Sequence, residues 1–190
     1  MRLPTLLTAL TLSLLTGCAT VIDSTTSEPI SDNRGSRTAG QFIDDETAEV
    51  AIAVNLKKSS PELKVSNINV KVYNGVVLIA GQVPSEDARQ VAEKVATQHR
   101  GVVRVINQLE IAGRATIISE INDLTISTQV KALVLKDLGR EVYQRTLITT
   151  ENSVVYVMGV VSKTEAAALE NVVSTVRGVK RIVRVFEYID

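Results

Sequence analysis

Side chains able to do chemistry are few in this chain, and they are scattered. There is one histidine, His99, and one cysteine, Cys18. A zinc site needs several Cys, His or carboxylate ligands together, and a thiol nucleophile needs a base beside it. Neither arrangement is present in the sequence. His99 lies near the end of a polar-faced helical segment, where a cation suits the helix dipole, so it reads as a surface residue. Serines and threonines are common but no base accompanies them. Acidic residues gather in the first turns of expected helices, where capping explains them. No GxGxxG or P-loop spacing occurs. The sequence therefore predicts no catalytic residue, no metal ligand and no cofactor: a binding protein, not an enzyme.

Charge narrows the partner. The 21 basic and 21 acidic residues cancel, and they cancel piecewise, nine against nine in residues 41–114 and again in 115–190. Nucleic-acid binders usually carry a basic excess on the binding domain, so nucleic acid is not expected. The basic residues of the second half include Arg145, Lys163, Arg177, Lys180, Arg181 and Arg184. Lys180 and Arg181 adjoin Arg177 across one turn. They read either as a solvated surface or as a patch for anionic head groups, worth about 1 kcal/mol per charge at a membrane. Leu124, following Ile117, Ile118 and Ile121, reads either as an apolar wedge for that membrane or as an interdomain packing strip. The strip is the preferred reading, because the link at Gly113-Arg114 is short. Gly81 and Gly159 end two apolar strands. They are assigned to close packing or a bulge, with approach of a ligand as the alternative.

The amino terminus is an address. Arg2 supplies a short positive region, Leu6–Leu15 an apolar one, and small residues follow. The stretch is too short for a permanent membrane span and reads as a signal peptide over residues 1–17. Its ending, Leu15-Thr16-Gly17-Cys18, resembles the lipobox of bacterial lipoprotein precursors. That resemblance implies cleavage before Cys18 and acylation of its thiol and new amino group. Two or more acyl chains anchor stably where one does not. Ala19, rather than Asp, after the cysteine implies export to the outer membrane. Residues 18–40 form the lipidated cysteine and a polar tether, too poor in apolar residues to fold, with a reach of roughly 25 Å.

An internal repeat organises the rest. Asn74-Gly75-Val76-Val77-Leu78-Ile79-Ala80-Gly81 recurs as Asn152-Ser153-Val154-Val155-Tyr156-Val157-Met158-Gly159, 78 residues on. Ala88 recurs as Ala166. Arg100-Gly101-Val102 recurs as Arg177-Gly178-Val179 at a spacing of 77, so one residue is missing before the last strand of the second copy. In the first copy Asp44 is expected to cap a helix whose apolar side carries Val50, Val54 and Leu56. Ile68, Val70 and Val72 alternate as a strand, Asn74-Gly75 marks a hairpin, and Val76–Gln82 returns as a central strand. Ser85 caps a helix burying Ala88, Val91, Ala92 and Val95. Gly101 ends it at the C′ position, and Val103, Val105, Leu109 and Ile111 line a third strand. In the second copy Asp123 is expected to cap a helix carrying Ile126, Val130, Leu133 and Val134. Ser162 and Glu165 form a capping box.

The order is αββαβ twice, an α+β fold with a small three-stranded mixed sheet packed by two helices in each copy. This order, the apolar strand running into Gly81 or Gly159, and the helix ending in glycine before a Val-rich strand resemble BON domains, over residues 41–113 and 114–190. With leader, lipobox and tether, the chain resembles the dual-BON outer-membrane lipoproteins of Gram-negative bacteria. That resemblance implies a lipid-anchored protein on the periplasmic face of the outer membrane. It further implies that the second domain binds anionic phospholipid, phosphatidylglycerol or cardiolipin, for which this chain offers Leu124, Arg177, Lys180 and Arg181. A role in envelope integrity at the division site follows from it. The alternative is an adaptor for outer-membrane assembly, division or peptidoglycan-remodelling proteins.

Overall fold

The structure, a computed structural model, describes residues 37–113 and 116–190. The leader, Cys18, the tether as far as residue 36, and Arg114 of the interdomain link lie outside the described residues. The first repeat runs α1 (Ala39–Ser59), α2 (Pro61–Val65), β1 (Asn67–Tyr73), β2 (Val76–Val83), α3 (Glu86–Thr97) and β3 (Arg104–Ile111). The second runs α4 (Ile117–Leu133), a wide π turn (Val134–Leu138), α5 (Gly139–Gln144), β4 (Thr146–Glu151), β5 (Val154–Val161), α6 (Lys163–Ser174) and β6 (Arg181–Tyr188). Each sheet has its hairpin antiparallel and its third strand parallel to the central one. The short helices α2 and α5 are additions to the expected order. Pro61 opens α2, where its missing N–H costs nothing, behind the Ser60 cap.

The first helix of each repeat starts earlier than expected, and its aspartate has a different task. Thr38 caps α1 and Thr116 caps α4, so neither Asp44 nor Asp123 is a cap. Asp45 and Asp123 instead point inward from mid-helix and are buried. Asp45 accepts hydrogen bonds from the backbone N–H of Asn74 (2.8 Å) and Gly75 (3.0 Å) at the hairpin tip. Asp123 does the same for Asn152 (2.7 Å) and Ser153 (2.8 Å). The tip residues adopt left-handed backbone, Asn74 and Gly75 at φ 50° and 72°, Asn152 and Ser153 at 52° and 65°. That conformation turns both N–H groups toward the helix, where a carboxylate can take the pair.

This anchor fixes the rotation of α1. Ala48, Ile52 and Leu56 follow Asp45 into the core, while Val50 and Val54 are exposed. The expectation for Val50 and Val54 is thereby corrected: two rows of equal apolar period lie two residues apart, and Asp45 selects the other one. Ile126 and Val130 of α4 and Val134, which opens the π turn, are buried, as expected. Ser85 caps α3, and Ser162 and Glu165 make the capping box of α6. Both caps serve twelve-residue helices 77 apart, so the residue without a counterpart is Pro84, between strand and helix. Ala88 therefore corresponds to Glu165, not Ala166. Gly101 (φ 87°) lies beyond the C′ position of α3, in the turn leading to β3. Val103 precedes β3 and is exposed, as is Ile111.

Each sheet has helices on one face only. The opposite faces meet, and Tyr73, Leu78, Ala80, Val154, Tyr156, Met158, Val160 and Val185 form a third core between the repeats. The result is four layers, helix–sheet–sheet–helix. The Tyr73 hydroxyl crosses the seam to donate to the Arg145 carbonyl (2.7 Å). β1 runs over β4, with Asn67 bonded to Glu151 and Asn69 to Thr149.

Two strand glycines stand where backbone approaches closely. A Cβ on Gly81 (φ 128°) would lie 2.1 Å from the Asn67 carbonyl oxygen, and one on Gly159 2.5 Å from that of Arg145. The close neighbour is in each case the backbone at the start of the adjacent strand.

Two outcomes are expected in urea unfolding. Asp123→Ala orphans the buried Ser153 N–H and the part-buried Asn152 N–H and should cost about 1–3 kcal/mol for the first and less for the second; Asp123→Asn, keeping one acceptor, should cost less. A variant as stable as the parent would show that the turn does not need the carboxylate. Gly81→Val should lower the midpoint more than Val50→Ala, which trims an exposed side chain; equal effects would remove the steric role.

Candidate functional site

The segment holding Leu124 does not pack between the repeats. Ile117, Ile118, Ile121 and Leu124 are 61–81% exposed, so the interdomain-strip expectation is corrected. The reason is Asp123: once it turns inward, residues on the far side of α4 must face out. Lys131 lies on the same exposed side. Exposed aliphatics at i, i+4 and i+7 on one helix face make a contiguous stripe, and clustered apolar surface of this kind marks an interaction site.

The turn carrying Arg177 and Lys180 rests against this helix. A Cβ on Gly178 would sit 3.3 Å from Ile126 Cδ1 and 4.0 Å from Asn122 Oδ1. The Lys180 N–H donates to the Ser153 carbonyl (2.9 Å), tying the turn to the hairpin tip. Arg177 and Lys180 are both exposed. Asn122 is one helical turn beyond Ile118, so the basic turn flanks one edge of the apolar stripe.

The other cations are elsewhere. Arg181 reaches across the seam, its Nη2 4.0 Å from Glu110 and its Nη1 3.5 Å from Gln108. Arg184 pairs with Glu170 at 3.0 Å. Arg145 is buried and bonded to Glu165. Burial would raise the Glu165 carboxyl, but the Ser162 N–H and hydroxyl and the Arg145 guanidinium outweigh it and hold the group below its ordinary range. The structure thus brings Leu124, Arg177 and Lys180 onto or beside one helix and draws Arg181 to the domain seam.

On the other edge of the stripe Leu124 lines a groove of about 300 Å³ with Glu120, Lys131, Lys71, Asn67 and Glu151. Glu151 is nearly buried and accepts from Asn67 Nδ2 (2.9 Å) and Gln82 Nε2 (3.2 Å). Desolvation raises its pKa, the Gln82 and Asn67 hydrogen bonds oppose that, and the Asp123 and Glu120 carboxylates add to the rise.

Asp45, the inward role of Asp123, and Glu151 are what the sequence reading missed. A signal for the first two was present: an aspartate and a two-residue turn recur together at the spacing of 78. Nothing marked Glu151, because its partners come from the other repeat. Among the described residues no helix is long and apolar enough to cross a membrane, and no group of His, Cys, Asp and Glu could hold a metal ion.

Stability should report Glu151. The raised carboxyl keeps an extra proton in the folded state between its ordinary pKa and its folded one. Stability therefore falls as pH rises through that window, with the full cost present at neutrality. Glu151→Gln should melt above the parent at neutral pH, with the gap closing as the solution is acidified to below the ordinary carboxylate range. A gap independent of pH, or a less stable variant at neutrality, would contradict the assignment.

The profile of the BON domain matches residues 44–113 and 122–190. The outer membrane lipoprotein DolP of Haemophilus influenzae is 33% identical over 154 residues, 81% of this chain and 79% of that protein. The 21 kDa hemolysin of Actinobacillus pleuropneumoniae is 32% identical over 80% of this chain and 78% of its own. Among solved structures, the C-terminal domain of CdsD, the structural protein of the type III secretion system of Chlamydia trachomatis, aligns with 75% of this chain and 67% of that one. The identity is 13% and the TM-score 0.28.

Proposed function

This chain belongs to the BON domain family, and on that premise we propose that it is an outer-membrane lipoprotein whose second domain lays α4 onto anionic phospholipid. Cys18 carries the acyl anchor on the periplasmic face, and Ala19 directs export. One observation carries the lipid reading: four exposed aliphatics on one helix of the second domain, edged by a basic turn that packs on the same helix. An outer-membrane lipoprotein stands among its relatives, which supports the placement. Support of envelope integrity, with recruitment to the division site, extends the same reading. Phosphatidylglycerol and cardiolipin are the head groups considered.

The physics favours a weak contact made effective by the anchor. Each large aliphatic yields about 1.5–3 kcal/mol when fully buried, and partial insertion yields less. Arg177 and Lys180 add about 1 kcal/mol each near an anionic surface. The lipid anchor raises the local concentration of the surface, so a contact that recruits the free domain only reversibly holds the tethered one in one orientation. A protein-interaction adaptor is the second reading, favoured by a cleft of about 570 Å³ in the first domain, between α1 and residues 99–102.

Co-flotation with liposomes tests the proposal. The chain from Ala19 onward contains the compact unit Gly35–Asp190 with all three cores. It should float with vesicles containing phosphatidylglycerol or cardiolipin, in a salt-sensitive way, and not with zwitterionic vesicles. Ile121→Asp with Leu124→Asp should abolish flotation. Arg177→Glu with Lys180→Glu should weaken it and flatten the salt dependence; Arg181 is left intact because it serves the seam. Absence of flotation with every lipid would leave the acyl chains as the sole membrane contact and the domains as a docking platform.

A further inference from the structure

α1 carries an exposed apolar row of its own. Ile43, Val50 and Val54 are 62%, 63% and 42% exposed. At 3.6 residues per turn their spacing, i, i+7 and i+11, keeps them within about 40° of one another around the helix. Thr47 and Lys57 continue the row at i+4 and i+14, the period of a coiled-coil seam. The row faces away from Asp45, Ala48, Ile52 and Leu56, which enter the core. The fold does not call for it. In the second repeat, 78 residues on, Thr128 and Ala132 stand in place of Val50 and Val54.

The charges beside the row change sign along it. Asp44 and Glu46 flank its first half, and Lys57 and Lys58 close it; all four are exposed. None of them makes an ion pair among the described residues, whereas Glu49, nearer the sheet, is held by Lys71. The side chains on the two flanks midway are small, Ala51 and Ala53. An anionic bilayer does not suit this row, because Asp44 and Glu46 would meet like charge. A parallel copy of the helix would set acid against acid and lysine against lysine. An antiparallel copy sets each half against its opposite.

We propose that α1 is a self-association surface that pairs antiparallel with α1 of a second copy, about a two-fold axis level with Ile52. Val50 of each copy packs on Val54 of the other, and Thr47 meets the stem of Lys57. Asp44 faces Lys58, and Glu46 faces Lys57. One register serves all these pairs, and Ala51 and Ala53 let the two helices approach. Such a contact is self-complementary and closes at two copies. A single helix pair lies at the small end of specific interfaces, so the dimer is weak, and confinement to one membrane strengthens it by raising the effective concentration. The two α4 rows of this dimer point in opposite directions, because α1 and α4 belong to opposite outer layers. One bilayer therefore meets one of them at a time.

Sedimentation equilibrium of the chain from Ala19 onward, in the absence of lipid, tests this independently of flotation. A monomer–dimer equilibrium is expected, with a dissociation constant on the order of 100 µM that rises as salt is added. Val50→Glu, at an exposed site, should leave the chain monomeric over the same concentrations and its melting temperature in dilute solution unchanged. Lys57→Glu with Lys58→Glu should also leave it monomeric, and so should Asp44→Lys with Glu46→Lys. An equimolar mixture of those two charge-reversed chains should dimerise, since every facing pair is then opposite in sign. Ile121→Asp with Leu124→Asp should dimerise as the parent does. Should Val50→Glu not fold, the charge-reversed chains carry the test. A parent that stays monomeric at millimolar concentration would overturn the proposal. So would a dimer that survives a folded Val50→Glu, a dimer that the α4 variant removes, or charge-reversed chains that stay apart when mixed.

Discussion

A buried carboxylate holding a hairpin tip is the contact on which each repeat depends. Asp45 and Asp123 each take two backbone N–H groups from a turn about 30 residues further along the chain. Four otherwise orphaned donors are satisfied, and two helices are locked in rotation. Hydrophobic burial alone would not choose that rotation. In α4 the row Ile117, Ile121 and Leu124 is at least as apolar as the row Ile126, Val130 and Val134. A helix free to roll could bury either. With Asp123 fixed inward, the second row packs and the first is held out in water. The exposed stripe is thus a consequence of a polar contact.

The repeat also shows how one scaffold acquires two different surfaces. The four layers require the bare sheet faces to remain compatible, and there the large residues Tyr73, Leu78, Tyr156 and Met158 are buried together. Away from the seam the constraint relaxes. The first repeat has Ala48 and His99 where the second has Ile126 and Val176. The second differs in turn on its outer face, where Ile117, Ile118 and Leu124 stand in place of Ala39, Gly40 and Glu46. Pro84, without a counterpart, lies in a connection, where a length change leaves both ladders in register.

Much of this was legible in the sequence because the signals were local. The Asn74-Gly75 hairpin, the apolar central strands and the Ser85 and Ser162 caps all rest on residues within a few positions of each other. The failures share a different cause. Asp44 and Asp123 looked like caps because acidic residues favour first turns, yet Thr38 and Thr116 hold those places. Val50 and Val54 matched helical period as well as Ala48 and Ile52 did. Leu124 was assigned to the seam from the shortness of the link. In each case the deciding partner lies far along the chain: a hairpin tip for the helices, and the opposing sheet face for the seam. Arg145 and Arg181 read as surface cations for the same reason, since Glu165 and Glu110 are distant in sequence.

The layer order constrains how such a molecule can work at a membrane. α4 belongs to one outer layer and α1 to the other, with two sheets between them. At about 10 Å per layer, the two outer surfaces stand roughly 40 Å apart. If α4 lies on the lipid, α1 and its cleft face away from it. The chain enters at α1, on that far side. Cys18 and Arg37 are 19 residues apart, a distance that spans at most about 65 Å when extended. With the anchor proposed at Cys18, a link of that length is long enough to pass the sandwich and still reach the bilayer, but not by a wide margin. A much shorter one would hold α1 against the membrane and lift α4 off it, so the proposed orientation depends on tether length as well as on helix rotation.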